Sequence, residues 1–286
     1  MGYFGDTRGV SLAYLLAGTS LWGLFSAGLA VLGSGRAGPV VSAGAAVPLL
    51  VVAAVTGGRP LRELRSHPRL YLRLGLLEAV NISLYAAALS IGPVPVVVAL
   101  HLTSPIMLLG VAVVHRQRAM NGRLLLEALL LTAAIALVSW RPAGGVDAGR
   151  ALLGCVLALG SAAAVTALIM LVARESAHRD PTAAAGWQLG FAAVLSAPFL
   201  LGGAESGQRL LVQLLLGAAL LGPGFALYWR AMRHVDAPTA GALGLSEAVV
   251  ASTVVAILDR SQISLLTVVA GVLVAIAVLL DVRERI

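Results

Sequence analysis

The chain has 286 residues, 59% of them hydrophobic and only 12% charged, with 20 basic against 13 acidic side chains and a mean hydropathy of +0.95. Average soluble proteins carry about a quarter of their residues as charges, so a soluble globular domain and a disordered chain are both excluded. An all-α polytopic membrane protein fits, because inside a bilayer each spanning segment must satisfy its own backbone polar groups.

A spanning helix needs about 20 apolar residues, rising about 1.5 Å each across about 30 Å of hydrocarbon. In chain order, ten segments meet that requirement: 10–32, 39–57, 70–90, 93–114, 122–140, 150–173, 181–202, 209–230, 236–258 and 262–282. The first is too long for a signal-peptide core of about 7–15 residues and reads as an uncleaved span. The basic residues are all arginine, and their placement tests the count. With the N-terminus cytoplasmic, 15 arginines fall on the inner side and 5 on the outer, the latter being Arg36, Arg141, Arg150, Arg209 and Arg260. Cytoplasmic loops carry such an excess. Both termini therefore read as cytoplasmic in a multi-pass protein of the cell (inner or plasma) membrane. The net charge of +7 reads as contact with anionic membrane lipid and not with nucleic acid.

A shift of half the length, 143 residues, lays Leu84-Tyr85 on Leu227-Tyr228, Ala88 on Ala231 and Pro95 on Pro238, with span boundaries in phase. Residues 1–143 and 144–286 then form two five-helix repeats within one transmembrane domain. Five is odd, so the second repeat enters the membrane from the opposite side. The two are expected to be related by a pseudo-twofold axis in the membrane plane, the inverted-repeat plan of many secondary transporters.

Ionisable groups at bilayer depth cost at least about 2.5–3.5 kcal/mol, so they are expected to face a cavity or a partner. In span 1, Thr19, Trp22 and Ser26 share a face at i, i+3, i+7, and Trp22 is placed either to stack on a ligand or to fill core space. In span 3, Glu78, Asn81 and Tyr85 repeat that spacing. They read as a cavity-lining strip, or Glu78 pairs with Arg73 or hydrogen-bonds a neighbouring helix. In span 4, Pro105 removes the backbone bond to the carbonyl of His101, leaving a loosened turn at His101–Ser104 that suits a binding site or gate. Glu127 in span 5 is expected to pair with Arg123. Gly186 and Gly190 in span 7 mark close helix packing, and Tyr228-Trp229-Arg230 reads as an interfacial anchor. In span 9, Gly244 and Glu247 lie on a small-residue face, and the 143-residue shift lays Ser104 on Glu247. Glu247, Glu78, His101, Asn81, Tyr85, Trp22 and Ser104 are the expected substrate-contacting residues, with Pro105 and Gly244 at kinks or gates. A single cysteine, Cys155, permits no disulfide and no cysteine metal site. No catalytic or metal motif is present, and the absence of lysine excludes a P-loop ATPase. No cofactor is expected, although His101, whose side chain titrates near neutral pH in water, and the two glutamates make proton coupling possible.

Leu21-Trp22-Gly23, Asn81-Ile-Ser-Leu-Tyr85, the stretch from Ile91 to Pro105 and Ser246-Glu247-Ala248 resemble motifs of the drug/metabolite transporter superfamily of EamA type. The similarity is to its threonine/homoserine exporter branch. In that resemblance Asn81 and Tyr85 match the third-span pair, Pro105 the fourth-span proline and Glu247 the ninth-span glutamate. His101 stands where the branch has glutamate, and Ala248 where it has proline. The resemblance implies ten spans as two inverted repeats and efflux of an amino acid or a related small metabolite by alternating access. Import or facilitated passage of a choline-like cation would use the same architecture. An enzyme acting on lipid-linked substrates would need a nucleophile or metal set that the sequence lacks.

Overall fold

The computed structural model describes residues 4–32, 37–91, 97, 100–116, 121–138, 148–202 and 206–258, and positions 269, 272, 273 and 276. Most of the expected tenth span, the opening of the fourth and the side chain of Glu127 lie outside the described residues. Every regular element among those described is helical. In chain order they are α1 (Phe4–Leu32), α2 (Gly38–Val55), α3 (Pro60–Ser66), α4 (Pro68–Ile91), α5 (Ser104–Val114), α6 (Gly122–Val138), α7 (Ala148–Glu175), α8 (Pro181–Ser196), α9 (Gly207–Leu216), α10 (Gly222–Ala231), α11 (Ala237–Gly244) and α12 (Ser246–Leu258). A π-helical turn, Gly217–Leu221, joins α9 to α10.

Five described segments are long and apolar enough to cross a membrane: Gly9–Leu29, Gly38–Val55, Pro68–Ala88, Gly149–His178 and Gly207–Ala231. Their outward faces support that reading. Val47, Val51 and Val55 follow one another at i+4 on α2, as do Leu72, Leu76 and Val80 on α4, and all are exposed. Such apolar stripes need lipid to cover them. The protein is therefore a multi-pass membrane protein.

Local chemistry fixes where the helices start. Asp180 precedes Pro181 and accepts the Ala183 N–H at 2.7 Å, opening α8. Asp236 accepts the Thr239 N–H at 2.9 Å, opening α11. Each carboxylate satisfies one of the donors a helix start leaves free, and the adjacent prolines lack the N–H that would otherwise be orphaned. α2 runs into a turn at Gly57, whose φ of +87° favours a residue without Cβ.

Inside, the interfaces are built of small residues. α2 lies along α8, where Ala45, Ala46, Ala183, Ala184 and Ala185 are buried. A Cβ on Gly186 would press on Leu50 at 2.9 Å, as the glycine spacing predicts. α4 packs along α7 and α8, and α1 along α10 and α12. α5 packs on α7 and α11.

Tyr228-Trp229 departs from expectation. Instead of anchoring at an interface, Tyr228 and Trp229 are buried in the central core, with Trp229 fully enclosed. The indole N–H finds Gln188 Oε1 at 2.9 Å, which removes the need for a wet edge.

Candidate functional site

Two spans, the fourth and the ninth, are interrupted among the described residues. Between His101 and Ser104 the chain makes a turn, with the Thr103 N–H and hydroxyl both donating to the Leu100 carbonyl, at 3.2 and 2.6 Å. α5 restarts at Ser104-Pro105, where proline has no N–H to continue the ladder. The second break falls at Leu245, between α11 and α12, beside Gly244 and directly before Ser246-Glu247. No proline is needed there, because glycine is itself a weak helix former.

Each break is pinned by a hydroxyl from another long helix. Thr19 of α1 lies 2.8 Å from Ser246, hydroxyl to hydroxyl. Thr19 spends its one proton on the Leu15 carbonyl at 3.0 Å, so Ser246 is the donor. Two turns on along α1, Ser26 donates to Glu247 Oε1 at 2.8 Å. Close approach makes this possible: a Cβ on Gly23 would meet Val250 Cβ at 2.6 Å and the Glu247 carbonyl at 2.7 Å. At the other break, Ser161 of α7 lies 3.0 Å from His101 Nδ1 and donates to Asn81 Oδ1 at 2.7 Å. With the serine proton on Asn81, the imidazole presents Nδ1–H to Ser161 and keeps Nε2 as an acceptor. Tyr85 stacks on the same imidazole, centroids 4.2 Å apart. Thr166 of α7 lies 3.4 Å from the carbonyl of Ser104.

α4 packs along neither α1 nor α12. Trp22, Ser26, Asn81, Tyr85, His101, Gly244, Ser246 and Glu247 are all half-buried. They fall into two groups, Ser26, Ser246 and Glu247 beside one break and Asn81, Tyr85 and His101 beside the other. No arginine pairs with either glutamate among the described residues. The arrangement offers a carboxyl, an imidazole acceptor and an aromatic face, all suited to a ligand that brings donors.

Not every expected residue is placed in the same way. Glu78 is 4% exposed and accepts from Gln188 Nε2 at 3.2 Å, while Arg73 stays exposed. Glu78, Gln188 and Trp229 form a closed polar chain across α4, α8 and α10. Replacing Gln188 with leucine is expected to orphan both ends and cost about 3 kcal/mol, read as a lower thermal unfolding temperature in detergent. Trp22 lies against Phe225 and Tyr228, centroids 4.7 and 5.1 Å away, so its ring serves the α1–α10 contact. The carbonyl side of Ser104 is bound and the residue is buried. A Cβ on Gly244 would meet nothing within 4 Å, so this glycine marks the break and not a tight contact.

Ser161 and Ser246 were not singled out from sequence as site residues. Ser161 sits in an alanine-rich run with no spacing signal, and only its partners 60 and 80 residues away reveal it. Ser161→Ala is expected to release His101 and the Asn81 side chain together. It should lower stability by about 1–2 kcal/mol and weaken ligand binding more than Thr166→Val does; ligand-induced thermal shifts of the two variants check this.

A second polar cluster closes the arginine-rich end of the bundle. Arg179 Nη2 donates to Glu175 Oε2 at 2.9 Å, and Nη1 lies 3.6 Å from Glu63 Oε1 and donates to His67 Nε2 at 2.8 Å. Tyr71 donates to Glu63 at 2.8 Å. Arg233 donates to the carbonyls of Ser176 and Arg179, and Ser176 to that of Met232. The α3 arm, the α7–α8 turn and the α10–α11 turn are thereby tied into one latch.

Residues 152–282 match the EamA-like transporter family, within the drug/metabolite transporter superfamily. No curated protein matches the chain. A crystal structure, described only as that of a protein, superposes with a TM-score of 0.80 at 16% identity, over 97% of this chain and 98% of the other. At that identity the likeness speaks for the fold. The family match points to a membrane transporter of small solutes, in keeping with a non-enzymatic role.

Proposed function

We propose that the protein is a secondary transporter that moves a small amine-bearing metabolite, an amino acid or an amino-acid-like amphiphile, outward across the cell membrane by alternating access. The observation that carries this reading is the pair of helix breaks. They fall at Leu102–Thr103 and Leu245, separated by the same 143 residues that relate the two halves in sequence. Each is held by a hydroxyl from the first long helix of the opposite half, Ser161 for one and Thr19 for the other.

The packing supports two inverted five-helix repeats, 1–143 and 144–286. Exchanging the halves turns α4 on α7 into the α9–α10 segment on α1, and turns α1 on α12 into α7 on α5, and all four contacts occur. Two near-equivalent halves permit two asymmetric packings, and switching between them alternates access to a site at their boundary. The latch at Arg179 then serves as the gate at one end. Positive charge concentrated there favours a cytoplasmic assignment for that end.

Glu247, with His101 Nε2 as a second acceptor, takes the ammonium group. Tyr85 and Asn81 shape the space around it. The same carboxyl is available to a proton when the ammonium leaves, giving exchange of solute against proton. Counterflow in proteoliposomes with a panel of labelled amines, amino acids and quaternary ammonium ions tests the reading. Accumulation of an amine or amino acid supports it, and no accumulation of any panel member overturns it. Rates indifferent to an imposed pH gradient would remove the proton from the scheme while leaving the carrier.

A further inference from the structure

The arm between α2 and α4 has two unlike sides. Its inward side is bolted to the latch: Glu63 holds Tyr71 and lies beside Arg179, and the Pro60 carbonyl accepts the Trp187 indole N–H at 2.8 Å. Its outward side carries Arg59, Arg62 and Arg65, and the stripe continues onto α4 as Arg69 and Arg73. All five are exposed, and none has a carboxylate partner among the described residues. Five like charges within fifteen residues of chain repel one another unless an anion gathers them.

Their depth identifies the anion. Leu72, Leu76 and Val80 run up α4 as an exposed apolar stripe that the bilayer must cover. Arg69 and Arg73 stand at the head of that stripe, where a bilayer covering the stripe would bring its headgroups. Leu61, 62% exposed beside Arg62, presents an apolar side chain at the same level, which favours a lipid over a free phosphate or a nucleic acid. Guanidinium groups pair bidentately with phosphate oxygens, and basic residues next to a spanning helix are drawn to anionic leaflets.

We infer that the α3 arm is a binding surface for anionic phospholipid, and that lipid held on its arginines keeps Glu63 engaged in the latch. The arm is a single seven-residue helix, so seating its outer side fixes its inner side. Without the lipid, repulsion among the five arginines and from Arg179 and Arg233 favours release of the arm. The gating half of this inference rests on the transporter reading; the lipid-binding half does not.

The test uses the full chain with Cys155→Ser and Ser176→Cys, which places one thiol inside the latch, where Ser176 is 1% exposed. Its rate of modification by a small thiol reagent is measured in vesicles of phosphatidylcholine and of phosphatidylcholine with phosphatidylglycerol. Modification is expected to be at least about fivefold slower with phosphatidylglycerol, since each arginine near an anionic surface strengthens attachment about fivefold. Arg62→Gln with Arg65→Gln should abolish the lipid dependence, and the paired lysine substitutions should keep it. Equal rates in the two lipids, or a dependence that survives the glutamine substitutions, overturns the inference. Protection by inorganic phosphate alone overturns the lipid assignment. Lipid-dependent protection in a protein that moves no panel solute leaves the binding surface standing and refutes the transporter reading alone.

Discussion

Glu247→Gln is expected to abolish counterflow of an amine-bearing solute while the protein still folds. Glutamine keeps the shape of the side chain and an oxygen for the Ser26 hydroxyl, now 2.8 Å from Glu247 Oε1, so the α1–α12 contact survives. What is lost is charge. A desolvated ammonium–carboxylate pair is worth about 3 kcal/mol when one partner is neutralised, which is more than a hundredfold in affinity. Ser26→Ala leaves the charge and removes one hydrogen bond, an expected loss of about fivefold. Glu78→Gln serves as the contrast. Glu78 is closed into the chain with Gln188 and Trp229, so its neutral variant should alter stability more than affinity. Equal transport by wild type and Glu247→Gln would take the substrate contact away from this residue.

A large effect on stability is also expected at Gly217 in the π-helical turn. A Cβ there would overlap the carbonyl oxygen of Val41, and a Cβ on Gly44 would overlap that of Leu214. Two backbones therefore touch through paired glycines, where no side chain can give way. Gly217→Val is expected to cost about 3 kcal/mol and to pull the α9–α10 segment off α2, measured as a fall in thermal unfolding temperature in detergent. Gly110→Ala is the control, since nothing lies within 4 Å of a Cβ at that position. An alanine in helix α5 should raise stability by up to about 1 kcal/mol. Both substitutions add a Cβ to a helical glycine, and the same pair made with alanine at each position is expected to keep the opposite signs, because backbone contact, and not glycine flexibility, is the reason for Gly217.

The spanning helices α1, α2, α4, α7 and the α9–α10 segment were legible in sequence to within a few residues, because burial in lipid writes a continuous apolar run of fixed length. So was the break at His101–Ser104, since Pro105 removes one hydrogen bond wherever it sits in a helix. The site was legible in part. His101, Asn81 and Tyr85 meet through Ser161 and ring stacking, and Glu247 meets Ser26 of α1, because polar residues at bilayer depth seek partners on other helices. The burial of Trp229 was not legible. An aromatic residue beside arginine has the same local pattern whether it meets headgroups or a glutamine on another helix.

Composition and periodicity alone determined that this chain lies in a membrane, how its helices are spaced, and which acids and breaks interrupt them, since each of those follows from a residue and its near neighbours. Only the tertiary structure decided which hydroxyl holds which break, that Glu78 is sealed and Glu247 half-buried, and that Glu63, Arg179 and Arg233 close one end together. Those pairings join residues up to 227 positions apart. They exist only once close-packed small residues have brought the helices into contact, and no local pattern encodes the outcome of that packing.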